Sequence, residues 1–352
     1  MTPKVSVVMP SYNHAPYVRV AVESVLAQSF AELELVITDD GSVDGTPDII
    51  RSIADPRIRL NVLPENRGAC VAMNDAISRA HGTYISVLNS DDYFLPGKIA
   101  RQFAFLGAHP EIGAVFGLPR FIDEHGFQLS HGGHGFAELF AAVNRPRRGW
   151  LRHFFAQGNC LCHPTAMVRR SCYDTVGFFD PLLRQLPDFD LWVRICMRFD
   201  IHIIPEQLTA FRVLGCERNV SAPAPATAAR SAWELVTVLE RYAELPGQEI
   251  REIFSDLPGI SEMSMPVLAL ALEALRIGRP GYRQFGLGLL RQCMRDCPGV
   301  FSNAEYFRLV GENDPYAVRF SGRLFEHVIR SPLFTAGQRA ANWLRPYFRR
   351  GH

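Results

Sequence analysis

The stretch LELVITDDGS, residues 33–42, decides the fold of this chain, because it is an apolar run that ends in two aspartates and a turn. A second stretch, YISVLNSDD at residues 84–92, ends in the same way with Asp91 and Asp92. Short apolar runs that stop at turn-forming residues are typical of buried strands. Because the carboxyl ends of parallel strands open on one crevice where ligands bind, we expect these carboxylates to face a metal, a ribose or a base.

Around these two stretches, residues 1–117 alternate between strand-like and helix-like patterns. Residues 17–28, for example, carry apolar side chains at helical spacing, whereas residues 58–63 alternate as a strand does. This order predicts an α/β fold in which helices flank a mostly parallel sheet. Two further short strands are expected at residues 114–116 and 201–204.

The composition changes after the Ala-Pro repeat at residues 222–226, which is typical of a linker. Nearly everything beyond it has helical spacing. We therefore predict two domains, an α/β domain over residues 1–221 and an all-helical domain over residues 222–352.

The bulk composition excludes several classes of function. The 352 residues carry 37 Lys and Arg against 36 Asp and Glu, so nothing indicates a nucleic acid partner. No signal peptide opens the sequence, and no run of 18 apolar residues indicates a membrane span. We therefore expect a cytoplasmic protein whose eight cysteines are reduced thiols.

Four segments together carry a resemblance to a known family. Residues 5–13 (VSVVMPSYN), 36–46 (VITDDGSVDGT) and 88–92 (LNSDD) are similar to the first half of a family 2 glycosyltransferase, and residues 187–194 (PDFDLWVR) resemble its acceptor-side segment. The resemblance covers about residues 4–215. It implies a GT-A fold and an inverting transfer of sugar from a nucleotide diphosphate sugar. It also implies a glycan or lipid-linked glycan acceptor, since many relatives build surface-glycan precursors.

The resemblance implies a donor site with one divalent metal, Mn²⁺ or Mg²⁺. Asp92 is the implied metal ligand and Asp91 the implied ribose contact, whereas Asn89 stands where the family usually has an acid and receives no metal role. Because a hard cation prefers oxygen ligands, keeps several waters and acts as a Lewis acid on the diphosphate, one carboxylate can suffice. Asp40 matches the aspartate that contacts the base, which favours a uracil-type edge, although similar folds also serve other bases. The other implied donor contacts are Pro10, Tyr12, Asn13, Arg67 and Asn74.

On the acceptor side the resemblance implies a general base. An inverting transfer needs a group that removes the proton of the attacking hydroxyl, and Asp188 holds that position by motif. We expect Asp188 just before a helix, whose N-terminal dipole would favour the charged carboxylate. The weaker candidates are Asp190, which should point elsewhere, Arg194 as a carboxylate partner, His163 beneath the site, and Arg212 with Asn219 and Ser221 on a segment over the diphosphate.

Other interpretations stay open at this point. Each aspartate cluster alone fits turn chemistry, Asp188 fits a helix cap, and His163 fits a structural hydrogen bond. A sugar nucleotidyltransferase is disfavoured because no Lys or Arg follows the first strand, and a non-catalytic scaffold because Asp92 and Asp188 are both present. Cys160, Cys162 and His163 fit no standard zinc spacing.

The C-terminal segment over residues 339–350 mixes arginines with aromatic residues. It fits peripheral contact with an anionic membrane surface, which would be the inner face for a cytoplasmic protein, and equally a helix docked on the protein. The helical domain could also form a homo-oligomer or select the acceptor.

Overall fold

The computed structural model describes residues 2–130, 136–214, 225–263 and 265–296 of the chain. The chain forms two compact units, one from Met1 to Ala228 and the other from Ala229 to His352.

The first unit is built on one sheet of eight strands. The strands are β1 (Val5–Ser11), β2 (Leu33–Asp39), β3 (Ile58–Val62), β4 (Tyr84–Val87), β5 (Tyr93–Phe94), β6 (Ile112–Ile122), β7 (Met167–Arg169) and β8 (Asp200–Arg212). Their order in the sheet is β3-β2-β1-β4-β7-β6-β8-β5. The four strands β3, β2, β1 and β4 run parallel to one another, and β6 runs parallel to β8. Strands β7 and β5 are antiparallel to their neighbours. The predicted α/β class is confirmed, with a mixed sheet.

Helices connect most of these strands. They are α1 (Val18–Leu26), α2 (Thr46–Arg51), α3 (Ala69–Arg79), α4 (Lys98–Ala108), α5 (Phe136–Leu139), α6 (Arg147–Gln157), α7 (Arg170–Val176) and α8 (Pro187–Cys196). The core lies between them and the sheet. All seven residues of β2 are buried, because the strand is internal and covered on both faces. The stripe of α1 that the sequence predicted, including Val18, Val22 and Val25, is buried against this core.

Two strands are longer than the sequence predicted. The expected strand 114–116 extends over Ile112–Ile122, and the expected strand 201–204 extends over Asp200–Arg212. Pro119, Arg120 and the polar run after Pro205 interrupt the apolar pattern, so the periodicity ends early. The pairing absorbs these residues through register shifts between Phe116 and Leu118 and between Leu118 and Pro119. The extra length matters because it brings Arg212, the last residue of β8, to the site described below.

The described part of the second unit is helical. It contains most of α9 (Pro225–Ala243), then α10 (Gly247–Ile253), α11 (Val267–Ile277) and α12 (Pro280–Asp296). α11 and α12 pack so closely that a Cβ on Gly286 would lie 2.9 Å from the carbonyl oxygen of Ala271. No helix among the described residues is long and apolar enough to span a bilayer.

Several sequence predictions lie outside the described residues. They concern Asn219, Ser221, most of the linker, and the segment 339–350. The functional division of the chain at residue 222 and the role of the helical domain stay predictions.

Candidate functional site

The carboxyl ends of β1, β2 and β4 lie side by side, and the residues that follow them form the donor half of the candidate site. Ser11 at the end of β1 pairs with Asp39 at the end of β2. The N–H of Leu88 donates to the carbonyl of Val8, so the chain continues alongside β1 after β4 ends. The two aspartate clusters therefore meet at one edge of the sheet.

Asp39 is buried and shapes the loop that follows β2. Its carboxylate accepts hydrogen bonds from Ser11 Oγ at 2.7 Å, Ser42 N at 2.8 Å and Ser42 Oγ at 2.8 Å. Asn13 closes the same loop with a left-handed φ of 52°: its N–H donates to Ser42 Oγ at 2.8 Å, and its Oδ1 accepts from Val43 N at 2.9 Å. In this structure Asn13, a predicted donor contact, thus holds the loop in shape.

Asp40 fastens the loop between β3 and α3. Its two carboxylate oxygens accept the N–H groups of Arg67 at 2.7 Å and Gly68 at 2.8 Å. The next residue, Gly41, has a φ of 72°, and a Cβ there would lie 2.6 Å from the carbonyl carbon of Glu65. Only glycine fits this close crossing of two loops. The base contact predicted for Asp40 would use the lone pairs that the two amides leave open.

Three predicted donor contacts border this edge of the sheet. Tyr12 is 42% exposed, the Arg67 residue is exposed, and Pro10 is partly buried. An accessible phenol ring can stack on a base, and an accessible guanidinium can pair with a diphosphate. The geometry therefore leaves Tyr12 and Arg67 available for a ligand.

Asp92 is buried, and its carboxylate is held from two sides. Asn89 Nδ2 donates to its Oδ2 at 2.9 Å, and the backbone N–H of Arg212 donates to its Oδ1 at 2.7 Å. Its neighbour Asp91 is partly exposed. Burial and, next, the charge of Asp91 raise the pKa of Asp92 well above its usual range. Asn89 thus orients Asp92, the residue predicted to bind the metal. An acidic side chain at position 89 would instead repel the Asp92 carboxylate.

The residues around Asp92 fit a divalent cation that binds together with substrate. A buried carboxylate beside a second carboxylate lacks the positive charge that a cation would supply. Among the residues that the structure describes, no group of three or more His, Cys, Asp and Glu side chains could hold a metal. Oxygen atoms of the donor diphosphate and water would have to complete the coordination of Mn²⁺ or Mg²⁺.

Arg212, predicted to lie over the donor diphosphate, is engaged with the protein instead. Its Nε donates to the carbonyl of Asp91 at 2.7 Å, and its Nη1 donates to the carbonyls of Asp123 and Glu124 at 2.9 and 3.0 Å. The guanidinium also lies 4.6 Å from the ring centroid of Tyr17, and the residue is only 5% exposed. These contacts hold the aspartate pair from the end of β8.

Asp188 lies in the first turn of α8, one residue after the helix begins at Pro187, and not before the helix as the sequence predicted. The residue is partly exposed. Its Oδ1 accepts the N–H of Phe189 at 2.8 Å, and its Oδ2 accepts from Asn159 Nδ2 at 2.9 Å. Burial raises the pKa of Asp188 to about 6, although both hydrogen bonds act in the opposite direction. The expected effect of the helix dipole is thus outweighed by burial.

Asp190 points into the protein, as predicted from its spacing. It is fully buried and accepts from Arg194 Nε at 2.7 Å. The same guanidinium donates to the carbonyls of Val176 at 2.5 Å and Phe178 at 2.8 Å. The Asp190–Arg194 pair therefore fastens the end of α7 to α8, and it occupies no substrate-facing position.

The segment between α7 and α8, residues 177–186, is also fastened to α3. Asn74 Nδ2 donates to the carbonyl of Phe179 at 2.8 Å, and Asn74 Oδ1 accepts the N–H of Phe179 at 3.0 Å. Cys70 Sγ donates to the carbonyl of Leu183 at 3.2 Å. Asn74, a predicted donor contact, thus has both ends of its amide bonded to the segment that leads to Asp188.

His163 begins a short 3-10 helix, His163–Thr165, and packs among aromatic rings. Its ring centroid lies 5.5 Å from that of Phe179 and 5.9 Å from that of Trp192. Within the described residues its buried Nε2 has no hydrogen-bond partner. Burial lowers the pKa of His163 to about 4, so the imidazole is neutral near pH 7. A neutral, enclosed ring suits a structural role better than proton transfer.

The buried thiols beside His163 are poor metal ligands as they stand. Burial raises the pKa of Cys160 to about 11 and raises the pKa of Cys162 well above its usual range. Metal binding needs the thiolate form, so these pKa values disfavour the zinc interpretation.

Sequence reasoning missed Asn159, which contacts Asp188 directly. It lies after α6, directly behind Gly158, whose φ is 92°. A Gly-Asn pair between a helix and a buried segment is a usable signal, because glycine ends helices and asparagine side chains bond to nearby backbone. The Gly-Asn pair does not reveal, however, which distant residue Asn159 contacts in the folded chain.

The mixed sheet, with carboxylates at its parallel strand ends and a separate carboxylate at the start of a later helix, has the architecture of the GT-A fold. A sequence profile described as "Glycosyl transferase family 2" matches residues 6–176. The chain belongs to glycosyl transferase family 2.

Relatives with curated descriptions share this class. The chain is 32% identical over 197 residues to EpsE of Bacillus subtilis, named a glycosyltransferase, which covers 54% of this chain and 66% of EpsE. It is 30% identical over 229 residues to the uncharacterized glycosyltransferase RP339 of Rickettsia prowazekii, covering 63% and 67%. It is 45% identical over 106 residues to TuaG of Bacillus subtilis, named for teichuronic acid biosynthesis, covering 30% and 42%. The chain thus spans about two thirds or less of these relatives.

Solved structures share the fold at lower identity. S. aureus TarS in complex with UDP-GlcNAc superposes with a TM-score of 0.56 at 18% identity, covering 83% of this chain and 85% of that chain. The mannosyltransferase PcManGT from Pyrobaculum calidifontis, in complex with GDP-Man and Mn²⁺, superposes with a TM-score of 0.51 at 18% identity, covering 84% and 87%.

Proposed function

We propose that this enzyme transfers a sugar from a nucleotide diphosphate sugar, with a UDP-sugar favoured, to a hydroxyl of a glycan acceptor, and that the transfer inverts the anomeric carbon. The observation that carries the proposal is the position of two carboxylates on different elements of the fold. Asp92 follows the end of β4, where Asn89 and the backbone N–H of Arg212 hold it. Asp188 lies in the first turn of α8, where Asn159 holds it. Two separate carboxylates suit a reaction in which one serves the leaving diphosphate and the other serves the attacking hydroxyl.

On the donor side, we assign the base to Asp40 and Tyr12, the diphosphate to Arg67, and the ribose to Asp91. Tyr12 and Arg67 are accessible, and the loops that carry these residues are fixed by Asp39, Asn13 and the two bonds of Asp40. A bound Mn²⁺ or Mg²⁺ would neutralise charge on the leaving diphosphate. Asp92, oriented by Asn89 and by the backbone of Arg212, is the residue that would hold it. Complexes of a structural neighbour with Mn²⁺ and of neighbours with UDP-GlcNAc and GDP-Man support this assignment.

On the acceptor side, we assign the general base to Asp188. Its carboxylate would take the proton from the acceptor hydroxyl while that oxygen bonds to the anomeric carbon and the bond from that carbon to the diphosphate oxygen breaks. A partly exposed carboxylate with a pKa of about 6 suits this task, since it is ionised near pH 7 yet a stronger base than an ordinary aspartate.

For the acceptor, we propose a surface-glycan precursor, free or linked to a lipid. TuaG and a further relative, ExoO of Rhizobium meliloti, 43% identical over 100 residues, are named for teichuronic acid and succinoglycan biosynthesis. A cytoplasmic enzyme at the inner face of the membrane fits such an acceptor. We also propose that residues 339–350 contact the membrane surface and that the protein forms a homo-oligomer.

A thermal-shift panel of UDP, GDP, CDP and dTDP, each with and without Mn²⁺, tests the donor half. A ligand that binds the native state raises the melting temperature by mass action. We expect a Mn²⁺-dependent rise with UDP that Asp92→Ala abolishes and Asp48→Ala retains, since the Asp48 side chain is 80% exposed on α2. No rise with any nucleotide in the folded wild type would contradict the donor site and leave a non-catalytic scaffold as the better interpretation. The anomeric configuration of the product, read by NMR against that of the donor, tests inversion.

A further inference from the structure

Asn159 contacts the Asp188 carboxylate from outside α8. It follows Gly158 in the connection between α6 and the His163–Thr165 turn, and it is separated from Asp188 by 29 residues. Its Nδ2 lies 2.9 Å from Asp188 Oδ2. Among the described residues, no other side chain donates a hydrogen bond to this carboxylate.

The orientation of the Asn159 amide is fixed by a second bond. The backbone N–H of Leu161 donates to Asn159 Oδ1 at 3.0 Å. Because a backbone N–H can only donate, the oxygen must face Leu161, and the NH₂ group is left to face Asp188. The next residues, Cys160 to Cys162, are buried, so the connection that carries the amide is held by packing. The donor to Asp188 is therefore preorganised.

The other charged groups near Asp188 do not replace this donor. Cys162 is a buried thiol with a raised pKa, so it is neutral near pH 6 and donates no charge. On α8 itself, Asp190 is turned inward and paired with Arg194. On the strand side, Asp92 supplies no positive charge to Asp188. Within the described residues, the carboxylate is thus supported by Asn159 on one oxygen and by its own helix, through Phe189 N, on the other.

We propose that Asn159 is a positioning residue for the transfer: it fixes the rotamer of Asp188 and stabilises the ionised carboxylate in a surrounding that disfavours charge. The inference rests on the proposed function, in which Asp188 is the base. An N–H that donates to a carboxylate favours the charged form, and Asn159 is one of the groups that lower the pKa of Asp188 against the effect of burial. Without it, the base would be protonated over a wider range of pH.

The test is the pH profile of kcat/KM for the acceptor at saturating donor, between pH 5 and pH 8.5. In Asn159→Ala we expect the midpoint of the acid limb to move upward by about one pH unit, and in Asn159→Asp further still, because a second carboxylate faces the first. In Asn159→Ala the rate at pH 6 should fall about fivefold while the rate at pH 8.5 falls less. A purely structural loss would lower the whole profile and leave the midpoint in place, and that result would overturn the inference.

Two controls separate the outcomes. Asn159→Ser keeps an oxygen for Leu161 N but is too short to reach Asp188, so it should move the midpoint even if the alanine variant fails to fold. Asn144→Ala removes an amide that is bonded in the same way to the backbone of Ile203, away from the site, and should leave the midpoint unchanged. An active Asp188→Asn enzyme would defeat the assignment of Asp188 as the base, on which this inference rests. An inactive Asp188→Asn enzyme with an unmoved midpoint in all the Asn159 variants would defeat only the role of Asn159.

Discussion

The donor half and the acceptor half of the site are built in different ways. In the donor half, the polar residues follow β1, β2 and β4, and strand pairing brings them together. Their carboxylates are satisfied by neighbouring loops, as with Asp39 and Ser11 or Asp40 and Gly68. In the acceptor half, Asp188 is placed by a helix that connections from distant parts of the chain fasten in position.

This difference shows that two aspartates in one site can have different roles, one in stabilising a loop and the other in reacting with substrate. The carboxylate of Asp39 is buried and bonded to Ser11 and to Ser42, so its role is to stabilise the loop that follows β2. Asp188 is left partly exposed, with burial opposing its charge and two hydrogen bonds supporting it. The first kind of residue should be sensitive to changes in shape, and the second to changes in charge. Four experiments can break or sharpen this contrast.

The largest effect is expected for Asp188→Asn. The change keeps the size of the side chain but removes the base, so kcat should fall by about a thousandfold, within the range that general bases contribute. UDP binding, measured by thermal shift, should stay the same, because no donor contact is changed. Asp48→Asn, at an exposed position on α2, should be fully active. If Asp188→Asn retained turnover within about threefold, the acceptor half would have to be assigned to another residue.

The next effect is expected for Gly41→Ala, which changes shape without changing charge. A Cβ at this position would meet the carbonyl carbon of Glu65 at 2.6 Å, and the φ of 72° disfavours any side chain. We expect a loss of about 2–3 kcal/mol in the free energy of unfolding, together with at least a tenfold weaker affinity for UDP. Gly45→Ala is the matched control, because Gly45 has a φ of 84° but no atom within 4 Å of the added Cβ. Equal losses in both variants would attribute the effect to φ alone and remove the argument from loop crossing.

The pH dependence of the wild type tests the charge side of the contrast. The base acts in its ionised form, and burial raises the pKa of Asp188 to about 6. The rate should therefore be level above pH 7 and fall about tenfold for each pH unit below 6. Initial rates at saturating donor and metal, with nucleotide binding monitored across the same range, check this expectation. A rate that stays level down to pH 4.5 would show that the limiting base has an ordinary aspartate pKa.

The smallest effect is expected for Asn74→Ala. Its two hydrogen bonds to Phe179 fasten the segment before α8, so kcat/KM for the acceptor should fall several-fold. The affinity for UDP should not change, although the sequence motif suggested a donor contact. Asn61→Ala is the control, since Asn61 Nδ2 bonds to Asp75 on the same helix without touching that segment. A selective loss of UDP affinity in Asn74→Ala would instead indicate that Asn74 contacts the donor, as the sequence motif suggested.

The sequence predicted the fold and the meeting of the two aspartate clusters at one edge of the sheet, for physical reasons. Apolar runs that end in Asp39-Asp40 and Asp91-Asp92 indicate buried strands, and parallel strands that share an edge bring their ends together. Both observations are local in the sequence. They predict the α/β class and the meeting of the two clusters without any knowledge of long-range contacts.

The contacts of single residues within the site were harder to predict from the sequence. Asn13 and Asn74 match family positions, yet their amides bond to backbone groups that are far away in the sequence and near only after folding. Arg212 was expected to follow a short strand, because Pro205 and its polar neighbours interrupt the apolar pattern of β8. Asn159 carries no charge and no motif, so only the folded chain shows that it faces Asp188.

The hydrogen bonds from Arg212 to the carbonyls of Asp91, Asp123 and Glu124 have a consequence for how the first unit can be combined with other helices. Arg212 is the last residue of β8, the last strand in the part of the chain that the structure describes, and with it every donor-half contact described above is complete. We therefore expect the first 214 residues to behave as a cassette to which different downstream helices can be joined without rebuilding the nucleotide pocket. The curated relatives described above match 28% to 63% of this chain.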